Sequence, residues 1–172
     1  MIEERIYGAK SMLVVGAHAF DAEVIAGPLA AAAVKRGVEV TFLHLTMGEQ
    51  GHPCLIPEHY CVQKEKEAAK AAARLGVAVR NIGLHDAFLP NDDATALLVC
   101  DVIRELRPEV VITHWKGSWH KDHHAAAMVT QNGIFYAALP TVKRGHPAHT
   151  PQLLLFGENW EDDEGFKPDV LV

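Results

Sequence analysis

No apolar run in the sequence approaches the ~20 residues that a membrane-spanning helix needs. The opening residues, Met1 to Arg5, lack the basic stretch followed by an apolar one that marks a secretory leader. A membrane is therefore not an expected partner, and a cytoplasmic location is expected. Basic clusters are also missing, and 16 basic against 22 acidic side chains give a formal charge of −6. Nucleic acid is not an expected partner, because a phosphate binder carries a basic face. Cysteine is scarce: Cys54, Cys61 and Cys100 cannot all pair within one chain and form no C-x-x-C, so reduced thiols are expected. With 49% hydrophobic and 22% charged residues, disorder and coiled coils are excluded as well. Histidine is what the chain has in excess, at eleven among 172 residues.

Short apolar runs alternate with helical periods. Met12 to Val15 is continuous and rich in β-branched residues, as in a strand buried on both faces. A helix follows with Ile25, Leu29, Ala32 and Ala33 on one stripe, Pro28 near its start and Gly37 at its end. Strands are predicted over 38–45, 77–84, 110–113 and 152–157, with a sixth at Val170–Val172. Helices are predicted over about 59–75 and 94–107, and from about His123 to Ala138. The alternation predicts one α/β domain over 1–172 with a mostly parallel sheet and helices on both faces. A chain that stops on an uncovered strand is either a fragment of a longer domain or one with a natural edge strand, and the pattern alone leaves both open.

In such sheets ligands bind beyond the carboxyl ends of the strands, where strand order reverses. Two loops there are dense in polar chemistry, one over 16–23 after the first strand and one over 114–124 after the fourth. If those strands are neighbours, both loops open on one crevice. They offer His18, Asp21, His120, Asp122, His123 and His124. Two imidazoles and a carboxylate form a catalytic zinc set with a position left for water. The bland alternative is a group of solvated loop histidines, which suits a lone His better than this constellation.

These residues resemble the LmbE-like, or PIG-L, zinc-dependent N-acetylglucosamine deacetylases. The family signature Ala-His-Pro-Asp-Asp-x-Glu is matched by residues 17–23, as Ala17, His18, Ala19, Phe20, Asp21, Ala22 and Glu23. Its Thr-x-Gly-Glu-x-Gly is matched by Thr46 to Gly51, its helix ending in Leu-Gly by Glu67 to Gly76, and its late His-x-Asp-His by His120 to His123. The resemblance implies a Rossmann-like three-layer domain, Zn²⁺ held by His18, Asp21 and His123, and His120 stabilising the oxyanion of the attacked carbonyl. It implies that Asp122 orients His120 or raises its pKa. The implied reaction is hydrolysis of an N-acetyl amide on an amino sugar or a related small conjugate. Family members often continue beyond the point where this chain stops, which favours the fragment reading, and assemblies are common among them, so a homo-oligomer is compatible.

The departures matter as much. Phe20 stands where the family has the Asp that acts as general base, and a phenyl ring accepts no proton. Ala19, Ser118 and Lys64 replace a Pro, an Asp and an Arg. Three readings follow. In the first, the chain is a metal-dependent hydrolase in which Glu49, Asp21 or His120 assists the water. In the second, it is a slow or non-catalytic relative that binds zinc and a sugar-like ligand. In the third, it is a structural α/β domain without a metal site. Under the first two, Phe20, Lys64 and Trp119 are the expected substrate-binding side chains. Glu49 has a rival role as a loop brace, Asp86 reads as a turn residue, and Trp115 and Trp119 could each line a sugar-binding mouth or pack the loop down. His52, His59 and His124 read as surface groups.

Overall fold

The computed structural model describes residues 2–159 and 165–171. At its centre is β1 (Ser11–Gly16), whose residues 12–16 are all buried. Alternate side chains of this strand serve two cores. Met12 and Val14 join Ala26, Leu29 and Ala30 of α2 (Asp21–Val34) and Ala72 of α3 (Pro57–Leu75) on one face. Leu13 and Val15 join Val99 and Ile103 of α4 (Asp93–Leu106) and Ala125 and Val129 of α5 (Lys121–Ala138) on the other. Such a period-two split is what a strand covered on both sides requires.

Strand β1 pairs in parallel with β2 (Glu39–Thr46) on one side and β4 (Val110–His114) on the other. Strands β3 (Ala78–Leu84) and β5 (Leu153–Gly157) add in parallel at the edges, giving the order β3-β2-β1-β4-β5. This is the expected three-layer α/β architecture. The order reverses between β1 and β4, so the two histidine-bearing loops do leave neighbouring strands.

One element was not expected, and two expectations need correction. Helix α1 (Ile2–Tyr7) was not legible as a helix, being one short turn anchored through buried Ile6. Helix α2 begins at Asp21, so Pro28 lies inside it rather than near its start. Val24 and Pro28 both face outward, which puts the carbonyl lacking its N–H partner on the solvent side. The sixth strand is not seen: Val170 and Leu171 are irregular, and Val172 lies outside the described residues.

Candidate active site

The β1–α2 turn is closed by Asp21, whose Oδ2 accepts the His18 N–H at 2.8 Å. Gly16 is required for that closure, since a Cβ there would meet Asp21 Cβ at 2.9 Å and Ala22 N at 3.0 Å. The β2 exit is bound to the same turn. Thr46 N–H and Oγ1 both donate to Ala17 O, at 2.9 and 3.0 Å, and Thr46 Oγ1 accepts from Gly48 N–H at 3.2 Å. Gly48, at φ 71°, lies against His18 with 3.3 Å left for a Cβ. The Thr-x-Gly-Glu stretch therefore positions His18.

Around Asp21 Oδ2 stand three imidazole nitrogens: His18 Nδ1 at 3.0 Å, His114 Nε2 at 3.2 Å and His123 Nε2 at 3.5 Å. His18, Asp21 and His123 each present a donor atom within 4.8 Å of the other two. Tetrahedral zinc, with bonds of about 2.0–2.1 Å, spaces its ligand atoms about 3.3 Å apart. Donor type and spacing thus fit a divalent ion. His114 is held just behind: its Nε2 accepts Ala17 N–H at 3.0 Å and its Nδ1 meets Asn159 Oδ1 at 2.8 Å.

The electrostatics of Asp21 and His123 suit a ligand set, whereas His18 without an ion is held as its imidazolium and would release a proton on binding one. Burial raises the Asp21 carboxyl, but His114 and His18 beside it hold it well below the usual range. Burial lowers the His18 pKa, and the carboxylates of Asp21 and Asp86 reverse this to about 10. Burial and the neighbouring His114, His120 and His18 rings drive His123 down to about 3, so it is neutral as a ligand must be.

His120 stacks on His123 with ring centres 4.3 Å apart and meets His18 edge-on at 5.0 Å. Its Nδ1 accepts the Asp122 backbone N–H at 3.2 Å, so the neutral ring carries its proton on Nε2. Burial, then His18, lowers its pKa, although Asp122 acts in the opposite direction. Asp122 thus raises His120 as the resemblance implies, but burial and His18 outweigh it. The Asp122 carboxylate is engaged elsewhere. It accepts Ala87 N–H at 2.7 Å, meets Lys121 Nζ at 3.2 Å and lies 3.4 Å from His18 Nε2.

Glu49 is occupied as a brace, its Oε1 accepting the Asp86 N–H at 2.9 Å. Phe20 is 51% exposed, with Lys64 Nζ 5.7 Å from its ring centre. Trp119 is 78% exposed and tilts against His120 at 5.6 Å. Trp115 packs against Phe156 and Phe166 instead. His52 accepts Cys54 and Leu55 N–H groups, and His124 Nδ1 meets Lys116 O, so both belong to loop structure.

Two features escaped the sequence. Asp86 is buried, with Oδ1 3.1 Å from His18 Nε2. Behind the turn, Glu23 Oε2 and both nitrogens of fully buried His44 have no hydrogen-bond partner, and the two side chains come within 3.9 Å. A lone Asp after a strand and a lone His within one carry no signal by themselves.

The family described as GlcNAc-PI de-N-acetylase, PIG-L, matches residues 13–133. The chain belongs to the PIG-L family. It is 30% identical over 171 residues to 1D-myo-inositol 2-acetamido-2-deoxy-alpha-D-glucopyranoside deacetylase 1 of Catenulispora acidiphila, covering 81% of this chain and 53% of that one. It is 27% identical over 172 residues to 4-oxalmesaconate hydratase of Pseudomonas putida, covering 95% and 67%. A conserved protein of Thermus thermophilus shares the fold with a TM-score of 0.83 and 29% identity, covering 94% of this chain and 70% of that one. The chain spans about half the length of the curated deacetylases it matches. Among the described residues of this PIG-L member, no helix is long and apolar enough to cross a membrane.

Proposed function

We propose that this chain is a cytoplasmic, zinc-dependent deacetylase that hydrolyses the N-acetyl amide of an amino sugar or related small conjugate. The observation that carries this reading is the convergence of His18, Asp21 and His123 from two loops onto one ion-sized space, in a family described by de-N-acetylation. A divalent ion held there supplies Lewis-acid polarisation of the amide carbonyl and an acidified water. His120 would donate its Nε2–H to the oxygen that becomes negative when the carbonyl is attacked. A neutral imidazole suits that role, and its lowered pKa keeps it neutral at pH 7. Phe20 and Trp119 give the mouth apolar faces against which a sugar ring can stack, and Lys64 sets a positive charge beside them.

No carboxylate occupies position 20, so removal of the water's proton is the weak step. The fixed tautomer of His120 makes it a donor rather than a base, and Glu49 is committed to Asp86. Turnover is therefore slow, and restoring Phe20→Asp raises it by ~10²–10⁴-fold. The test is amine release from N-acetylglucosamine conjugates by the zinc-loaded protein and by F20D. Release by both, faster in F20D, supports the reading. Release by F20D alone makes the natural chain a non-catalytic zinc and sugar binder. Release by neither overturns the deacetylase assignment.

One observation favours a second reading. The hydratase relative is covered further than the deacetylases in both directions. Adding water to a polarised carbon–carbon double bond also needs an acidified water and a neutral donor. Assay with an unsaturated, carboxylated enol or keto acid distinguishes this reading from amide hydrolysis, and loss of its ultraviolet absorbance would favour hydration.

A further inference from the structure

The outer nitrogen of His18 faces two buried carboxylates, and one of them lies outside every motif of the family signature. Asp86, on the loop after β3, places Oδ1 3.1 Å from His18 Nε2. Asp122 Oδ2 is farther from the same nitrogen, at 3.4 Å, and also accepts Ala87 N–H at 2.7 Å. The second oxygen of Asp86 accepts Gln50 N–H at 2.8 Å, and Glu49 in turn accepts the Asp86 N–H. The carboxylate is thus held from both sides while Oδ1 is left for His18. The Nε2 contact is a close charge contact rather than an aligned hydrogen bond.

We infer that Asp86 is the positioning residue of the metal centre: its carboxylate against Nε2 of His18 favours the ring proton on that side and so leaves Nδ1, on the Asp21 side of the ring, as the atom that binds the ion. The inference rests on the metal-dependent reading above and concerns a residue for which the motifs assign no role. The physical ground is the two faces of one imidazole. Nδ1 is 3.0 Å from Asp21 Oδ2 and Nε2 is 3.1 Å from Asp86 Oδ1, so a carboxylate stands at each nitrogen. A ligand histidine whose other N–H is held by a carboxylate is fixed in tautomer and orientation, and it binds metal more strongly. Loss of such a partner typically lowers metal affinity ~10–100-fold.

The experiment measures zinc affinity of the full chain by competition with a chromophoric chelator, for the natural protein, Asp86→Asn and Glu49→Gln. Visible spectra of the cobalt-substituted proteins are recorded in parallel. Asp86→Asn keeps the shape and removes the charge at His18. Glu49→Gln weakens the acceptor of the Asp86 N–H in the same loop and leaves the charge at His18 in place. The expected result is a ~10–100-fold loss of zinc affinity and a changed cobalt spectrum in D86N, with less than a ~3-fold change in E49Q. Equal affinity in D86N and the natural chain overturns the inference and leaves the metal reading standing. Equal losses in D86N and E49Q also overturn it, because loop geometry then accounts for the effect. No zinc binding by the natural chain overturns the metal reading itself, and the inference with it.

Discussion

The Lys64 ammonium lies 5.7 Å from the centre of the Phe20 ring, and Phe20 itself is held at φ 98°. A left-handed backbone suits Gly, Asn or Asp and costs a bulky side chain about 1–2 kcal/mol. The turn therefore has a geometry made for a small polar residue, and an aromatic one occupies it. Its ring is half exposed, and the cation–π contact with Lys64 adds only about 0.5 kcal/mol.

Phe20→Asn is accordingly expected to stabilise the fold by roughly 0.5–1 kcal/mol, or roughly 1–4 °C in thermal midpoint. Scanning calorimetry of the metal-free protein checks this. A lower midpoint would mean that the ring is needed to hold the turn.

Zinc should stabilise the folded chain, because its ligands come together only there. At about 100 times its Kd the gain is ~2.7 kcal/mol. His123→Ala should abolish the thermal shift. His124→Ala should leave it intact, since that ring binds Lys116 O and not the ion space.

Buried His44 makes the chain acid-sensitive. Burial lowers its pKa to about 4, against 6.5 when unfolded. Above pH 6.5 both states hold it neutral. Between pH 6.5 and about 4 the unfolded chain takes up a proton that the folded chain refuses, so stability falls with pH by up to ~3 kcal/mol. His123 acts in the same direction. His18 acts oppositely: its pKa is raised to about 10, so its contribution is complete below pH 6.5 and is lost as pH rises through 10. His44→Leu should flatten the acid limb in urea titrations at pH 4 to 7 without removing it. An unchanged limb would show that His44 is not the group responsible.

What the sequence made legible follows physical range. Strands β1, β2 and β4 announce themselves because burial on both faces leaves continuous apolar runs. His18, Asp21 and His123 sit in motifs whose spacing encodes a turn and a helix entry. Asp86 and Glu23–His44 depend on how β2 and β3 register against β1, which no local pattern records. For Asp122 the local pattern shows only part of its surroundings, for a related reason. Its neighbour in sequence is His120, but the helix entry aims its carboxylate at Ala87 and His18.

Arg104 shows the same non-local logic at the far end of α5. It is 3% exposed and has five backbone acceptors: Ala137 O through Nε, Val142 O and His146 O through Nη1, and Tyr136 O and Leu139 O through Nη2. The last carbonyls of a helix have no N–H partner within it, and one guanidinium supplies both the missing donors and a charge of the sign that the helix C-terminus favours. Arg104→Leu fills the space but removes the guanidinium from all five carbonyls; Ala137 O, Tyr136 O and Leu139 O keep the N–H groups of His149, Leu139 and Val142, so a loss of about 1–3 kcal/mol is expected. Arg104→Lys should recover only part of it, because an ammonium cannot reproduce the planar fork. Urea midpoints of the three proteins measure this. Helix α5 carries His123 near its other end, so zinc affinity in R104K should stay near natural if the damage remains at the C-terminal turn, and should fall with stability if the whole helix shifts.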